Sequence, residues 1–315
     1  MANKPFLNLR ETITGMEELI SQRPVPHKNK HFEKPYLRDK VQAIYLWWHK
    51  PVVDRELLQS LPNLKVIANS GVGMDHLDLK LIAGFGVKMA NAPHAVSNST
   101  ADTGMALLLA SARRIIEVAP NVEYCEADLL GVEVTRATLG IIGMGSIGYK
   151  IALRTACLKY SVILFYFFFF PVRKEQEEQL VGATYCGKLE SLLQQSDFVM
   201  VVVSLTPQTR KLIGKREMEL MKPTATLINI SRGAVVDQEA LVSALQDGVI
   251  RAAALDVTYP EPLPRDHPLL KLKNVIITPH LGIKTEKTAR MITEEAVENI
   301  LAALHGLPMP NEVKL

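Results

Sequence analysis

Thr138–Gly148, TLGIIGMGSIG, is the stretch on which the fold turns. A short apolar run leads into Gly143, Gly145 and Gly148, spaced GxGxxG, and a helical pattern follows from Ser146 to Cys157. In a strand–turn–helix setting each glycine has its own physical role. The first permits the tight turn, the second lets the backbone approach a pyrophosphate, and the third allows the helix to pack close to the strand. The N–H groups at the helix start then face the phosphates. Gly143, Gly145, Ser146, Ile147 and Gly148 are therefore candidate dinucleotide-binding residues.

Downstream of this turn, apolar runs recur at 161–167, 197–203, 225–230, 252–257 and 275–278, with helical patterns at 188–195, 215–221 and 239–246 between them. The runs are apolar throughout rather than alternating, as in a parallel sheet covered by helices on both faces. Upstream, runs at 41–48, 64–69 and 87–92 alternate with short helical pieces and mark a smaller α/β unit. Between the two series lies 101–118, ADTGMALLLASARRIIEV, expected as one unbroken helix capped by Ser99 or Thr100, with Asp102 in its first turn. A last helix is expected over 285–304, stopped by Gly306 and Pro308.

Composition narrows the function classes. The chain has 315 residues, 48% of them hydrophobic and 22% charged, which excludes disorder. A net charge of +3 gives no footprint for nucleic acid. The apolar stretch 162–171, VILFYFFFFP, is about half the roughly 20 residues of a spanning helix, so no membrane partner is expected. Cys125, Cys157 and Cys186 lie far apart without metal-ligand spacing. No metal is expected, and the chain reads as reduced and intracellular. The start, MANKPFLNLRETITG, lacks the apolar core of a signal peptide, and a cytoplasmic location is expected.

Three polar residues stand where apolar strands end: Arg232 after LINIS, Glu261 in DVTYPEPLP and His280 in ITPHLG. Ligands of parallel sheets bind at the carboxyl ends of the strands. There, Arg can hold a carboxylate through two parallel hydrogen bonds, His can pass a proton near neutral pH, and a carboxylate can fix the imidazole ring. Together with the glycine turn, the trio points to carbonyl chemistry.

One segment breaks the pattern. About 20 residues past the glycines, a dinucleotide fold should present an acid for the ribose 2′-hydroxyl or a base for a 2′-phosphate. Here stands FYFFFFPV at 165–172, with Arg173 and Lys174 the nearest bases and Glu175 the first acid. Four consecutive Phe residues cannot share one face of a strand. The run reads equally as a translated pyrimidine-rich intron end, and detecting Phe167–Val172 in the expressed protein would refute that reading.

Several segments resemble the D-isomer-specific 2-hydroxyacid dehydrogenases, nearest to their glyoxylate/hydroxypyruvate reductases. They are NSGVGMDHLD at 69–78, GIIGMGSIG at 140–148, SLTPQTRKLIG at 204–214, LINISRGAVVDQEALVSAL at 227–245, AALDVTYPEPLPRDHPLL at 253–270 and ITPHLG at 277–282. The likeness runs from about Val41 to Val313. It implies an α/β fold of two doubly wound parallel-sheet (Rossmann/flavodoxin-like) domains with a cleft between them. Residues 1–100, completed by 283–315, would form the substrate-side domain, and 101–282 the dinucleotide-binding domain. It also implies a homodimer that reduces small 2-oxo acids, glyoxylate and hydroxypyruvate, with NADPH in preference to NADH. Carried onto this chain, Arg232 orients the substrate, His280 is the acid/base, Glu261 is its partner, and Val72 and Gly73 offer backbone N–H groups to the carboxylate. Asp256 would lie near the nicotinamide carboxamide, and Ser204 to Thr209, Ile230 and Gly282 would line the cofactor.

The chain departs from the family in three places: the Phe run, a shorter segment between Arg114 and Gly140, and Asp102 where Glu is common. Leu46, Trp47 and Trp48 either narrow the cleft or belong to the core. Two alternatives stay open: a dehydrogenase for another D-2-hydroxy acid (lactate, 3-phosphoglycerate, 2-ketogluconate), and a nonenzymatic dinucleotide-binding scaffold.

Overall fold

A computed structural model describes residues 38–47, 50–118, 130–156, 160–165 and 175–314 of the chain. The Phe167–Val172 run, Arg173, Lys174, Trp48, Cys125 and Cys157 lie outside the described residues.

The upstream runs form strands β1 (Ala43–Leu46), β2 (Val66–Asn69) and β3 (Lys88–Ala90), paired in parallel in that order. The downstream runs form β4 (Thr138–Ile142), β5 (Ser161–Phe165), β6 (Thr184–Tyr185), β7 (Phe198–Val201), β8 (Thr226–Asn229), β9 (Ala252–Leu255) and β10 (Val275–Ile277). These make a second parallel sheet in the order β10-β9-β8-β7-β4-β5-β6. The two-residue edge strand β6 was not expected, because two residues carry no periodicity to read.

The large sheet is apolar on both faces because successive strand residues point to opposite sides. Ile142, Val199, Leu227 and Ala253 enter one buried cluster, while Ile141, Met200, Ile228 and Ala254 enter the other. The chain order reverses between β4, whose successor β5 lies on one side, and β7, which lies on the other. A crevice opens at such a reversal, at the carboxyl ends of the strands.

The helix expected over 101–118 differs in both bounds. It runs Ser97–Ala112, its N-cap residue Val96 makes no side-chain cap bond, and a separate short helix follows at Ile115–Val118. Ser99 Oγ donates back to the Val96 carbonyl and Thr100 Oγ1 to the Gly282 carbonyl, so neither caps the start. The break falls at Arg113 and Arg114, the latter at φ +53°. Arg114 closes the turn with two short bonds to Glu117, 2.7 and 2.6 Å, and the Val132 N–H takes the Ala112 carbonyl at the helix end. Asp102 stands past the first turn and pairs with Arg154 of the helix Ser146–Thr155 at 2.7 Å.

The final helix, Glu286–Leu304, begins on a Thr285 cap and packs on β1, β2 and β3. Beyond it the Val313 N–H donates to the Met89 carbonyl. The segment after this helix thus bonds to the edge strand of the first sheet. No helix among the described residues is long and apolar enough to cross a membrane.

Candidate active site

The turn after β4 explains its glycines. Gly143 adopts φ +107°, and a Cβ there would lie 2.8 Å from the Val202 carbonyl oxygen. A Cβ on Gly148 would collide with the Gly143 carbonyl, so helix and turn touch backbone to backbone. Gly145 has no atom within 4 Å of where its Cβ would stand. Gly145 and Ser146 are exposed, and no side chain caps the helix that starts at Ser146. An open turn beside uncapped N–H groups fits the pyrophosphate of a dinucleotide.

The cleft between the two sheets is a cavity of ≈ 100 Å³. Val72, Gly73, Ile147, Ile230, Arg232, Asp256, His280 and Gly282, all singled out from the sequence, line it. Asn69, Ser70, Gly71, Val96, Thr100 and Ile283 complete the walls and were not anticipated.

Two buried asparagines at strand ends hold the polar part of this wall. Asn69, last in β2, donates through Nδ2 to the Gly71 and Gly73 carbonyls, both at 3.0 Å. Asn229, last in β8, donates to the Arg232 carbonyl at 3.0 Å and accepts from the Ser231 N–H and hydroxyl. With the carbonyls of these turns turned inward to an amide, the loops keep one shape. The signal was present in NSGVG and NISRG, where an Asn closes an apolar run before small residues.

Arg232 reaches across the cleft. Its Nε donates to Asp75 Oδ1 at 3.0 Å and its Nη1 to the Ser231 carbonyl at 2.9 Å.

His280 Nδ1 lies 3.1 Å from Glu261 Oε2, and Glu261 Oε1 accepts from the Thr258 N–H at 3.0 Å. Burial alone would raise the Glu261 carboxyl. His280, the Thr258 N–H and the charge of Arg232 outweigh burial and hold it below its ordinary value. An ionised Glu261 fixes the ring through Nδ1, which makes Nε2 the atom able to pass a proton.

Asp256, 1% exposed, has both oxygens committed. Oδ1 accepts from the Thr278 hydroxyl at 2.6 Å and the Leu281 N–H at 2.7 Å, and Oδ2 from the Gly282 N–H at 2.9 Å. It therefore anchors the turn that carries His280. Ser204 is exposed on the loop after β7, while the Thr209 hydroxyl is buried within that loop, donating to the Ser204 carbonyl and accepting from the Thr206 N–H. Leu46 is fully buried in the core of the small sheet, and Trp47 packs beside Tyr45, 6.1 Å between ring centroids. Among the described residues no group of His, Cys, Asp and Glu is arranged to hold a metal ion.

Comparison with known proteins follows the same lines. A family model described as D-isomer specific 2-hydroxyacid dehydrogenase, NAD binding domain, matches residues 105–282. Glyoxylate/hydroxypyruvate reductase B of Yersinia pestis (strain Pestoides F) is 41% identical over 265 residues, 82% of this chain and 80% of that protein. A glyoxylate reductase structure from Paecilomyes thermophila superposes with a TM-score of 0.83 at 28% identity, covering 98% of this chain and 95% of the other. An NADPH-dependent glyoxylate/hydroxypyruvate reductase from Sinorhizobium meliloti, solved with NADP and malonate, gives 0.78 at 28% identity over 88% and 85% of the two chains.

Proposed function

Because this chain belongs to the D-isomer-specific 2-hydroxyacid dehydrogenase family, we propose that it reduces glyoxylate and hydroxypyruvate to the corresponding 2-hydroxy acids, using NADPH in preference to NADH. The observation that carries this reading is the His280–Glu261 pair at 3.1 Å, with His280 and Arg232 on the walls of one cleft.

When bound, the reduced nicotinamide supplies a hydride to C2 of the 2-oxo acid. The chain supplies the rest. Arg232 binds the carboxylate and meets the charge that develops on the carbonyl oxygen. The backbone N–H groups of Val72 and Gly73 hold the other side of the carboxylate. His280 gives its Nε2 proton to the developing alkoxide, and Glu261 keeps the ring oriented while that proton is held. Val72, Val96, Ile147, Ile230 and Ile283 make an apolar surround that excludes water from the transfer.

The division of the chain follows the sheets. Since the helix Ser97–Ala112 runs through the expected 100/101 boundary, we place the division at its start, with the substrate-side unit completed from 283 onward. A homodimer in the cytoplasm completes the proposal.

The test is a substrate panel on purified protein, following consumption of NADPH and of NADH with glyoxylate, hydroxypyruvate, pyruvate and 2-ketogluconate. The reading expects the first two acids to give the highest kcat/KM, with NADPH ahead of NADH. Preference for another acid on the panel would replace the proposed substrate, and no turnover with any of them would leave only dinucleotide binding.

A further inference from the structure

The loop after β2 meets Arg232 in a way the proposed roles do not use. A Cβ built on Gly73 would clash with Nη2 of Arg232 and stand 3.0 Å from Asp75 Oδ1. The guanidinium is thus seated on the bare backbone of Gly73. Asp75 grips it through Nε at 3.0 Å, and the Ser231 carbonyl takes one Nη1 hydrogen at 2.9 Å. The side chains of Arg232 and Asp75 are only 24% and 22% exposed. Of the five N–H donors of an arginine, those left without a partner among the described residues are one on Nη1 and two on Nη2.

Those remaining donors belong to the terminal nitrogens. A carboxylate can pair with a guanidinium through Nη1 and Nη2, or from the side through Nε and one Nη. With Nε occupied, the end-on approach is the one left open. Asp75 belongs to the small-sheet unit and Arg232 to the large one, so their bond also spans the two units across the cleft.

We infer that Asp75 is a positioning residue for 2-oxo acid reduction: it locks the Arg232 fork so that only its terminal nitrogens meet the substrate. This rests on the proposed reading that Arg232 binds a 2-oxo acid. Asp75 is a step removed from the substrate and acts through Arg232.

The experiment is a double-mutant cycle of wild type, Asp75→Ala, Arg232→Ala and the double variant, together with Asp75→Asn. Glyoxylate with NADPH is the substrate pair, and oxamate, which carries the same carboxylate–carbonyl pair, is titrated calorimetrically in the presence of NADPH. Loss of a hydrogen bond between charged groups should raise KM for glyoxylate and weaken oxamate binding about tenfold in Asp75→Ala. NADPH affinity should stay at its wild-type value. Asp75→Asn, which keeps the oxygen acceptor for Nε, should recover most of the loss. In the Arg232→Ala background, Asp75→Ala should add nothing.

Wild-type kinetics and oxamate affinity in Asp75→Ala, an undiminished effect of Asp75→Ala without Arg232, or a parallel fall in NADPH affinity would each overturn the inference. If the wild type turns over no 2-oxo acid yet oxamate binding still depends on Asp75 through Arg232, the reductase reading fails and the lock stands. No oxamate binding to the wild type would sink both.

Discussion

His280 sits at φ +53°, a conformation that costs a residue other than glycine roughly 1–3 kcal/mol. The surroundings over-determine it. The His280 N–H donates to the Asp256 and Thr278 carbonyls, and the next two N–H groups end on the Asp256 carboxylate. Such a conformation at the proposed acid/base suits a side chain that must be aimed rather than merely accommodated. Gly73 shows the opposite economy, a residue defined by what it lacks. Gly73→Ala would push Nη2 of Arg232 off its seat. The expected outcome is a drop of about tenfold or more in kcat/KM for glyoxylate, on the scale of a lost charged hydrogen bond, with NADPH affinity unchanged. Steady-state kinetics beside a cofactor titration would show it, and unaltered kcat/KM would place the Arg232 fork elsewhere.

At the scale of the element, the final helix, packed on the first sheet, carries a carboxyl with a measurable consequence. Burial holds Glu295 above its ordinary value, against the opposing pull of His94 and the Ala95 and His94 N–H groups, and its buried Oε2 has no hydrogen-bond partner among the described residues. The ionised form is therefore less favourable in the folded chain than in the unfolded one. Its contribution to stability is whole below the unfolded value and is lost as pH rises through the raised folded value. Glu295→Gln keeps an acceptor and drops the charge, so it should raise Tm at neutral pH and leave it unchanged at a pH below the unfolded carboxyl's value. Thermal melts at the two pH values would read this, and equal shifts at both would assign the effect to packing. Elements with strong local patterns were legible from sequence: β4 has the bounds TLGII suggested, and the helix Gln238–Gln246 differs by one residue. The break after Ala112 was not, because the apolar run continues through Ile115 and Ile116. The chain leaves the helix at Arg113 and Arg114, and the Ala112 carbonyl is met by the Val132 N–H, 20 residues on. Nor was Asp75: its neighbours in sequence give no sign that Arg232, 157 positions away, lies against it.

At the scale of the whole molecule, the site belongs to neither sheet alone. The large sheet brings the glycine turn, Arg232, Asp256 and His280 to the carboxyl ends of its strands, and the small sheet brings Val72 and Gly73 to face them. The trio Arg232, Glu261 and His280 was readable because each follows an apolar run, and parallel strands of a sheet carry their ends to one edge. The walls supplied by Val96, Thr100 and Ile283 were not, since they depend on how the helix Ser97–Ala112 and the turn after His280 meet across the cleft. The most direct measurement compares wild type with His280→Ala for NADPH consumption in the presence of glyoxylate, with NADPH binding titrated in both. Wild type should consume NADPH in step with the appearance of glycolate. The variant should bind NADPH equally and turn over roughly 100-fold more slowly or worse, the size of a lost general acid. Equal turnover by the two proteins, or a wild type that binds NADPH and oxidises none of it with a 2-oxo acid present, would contradict a reductase built on this cleft.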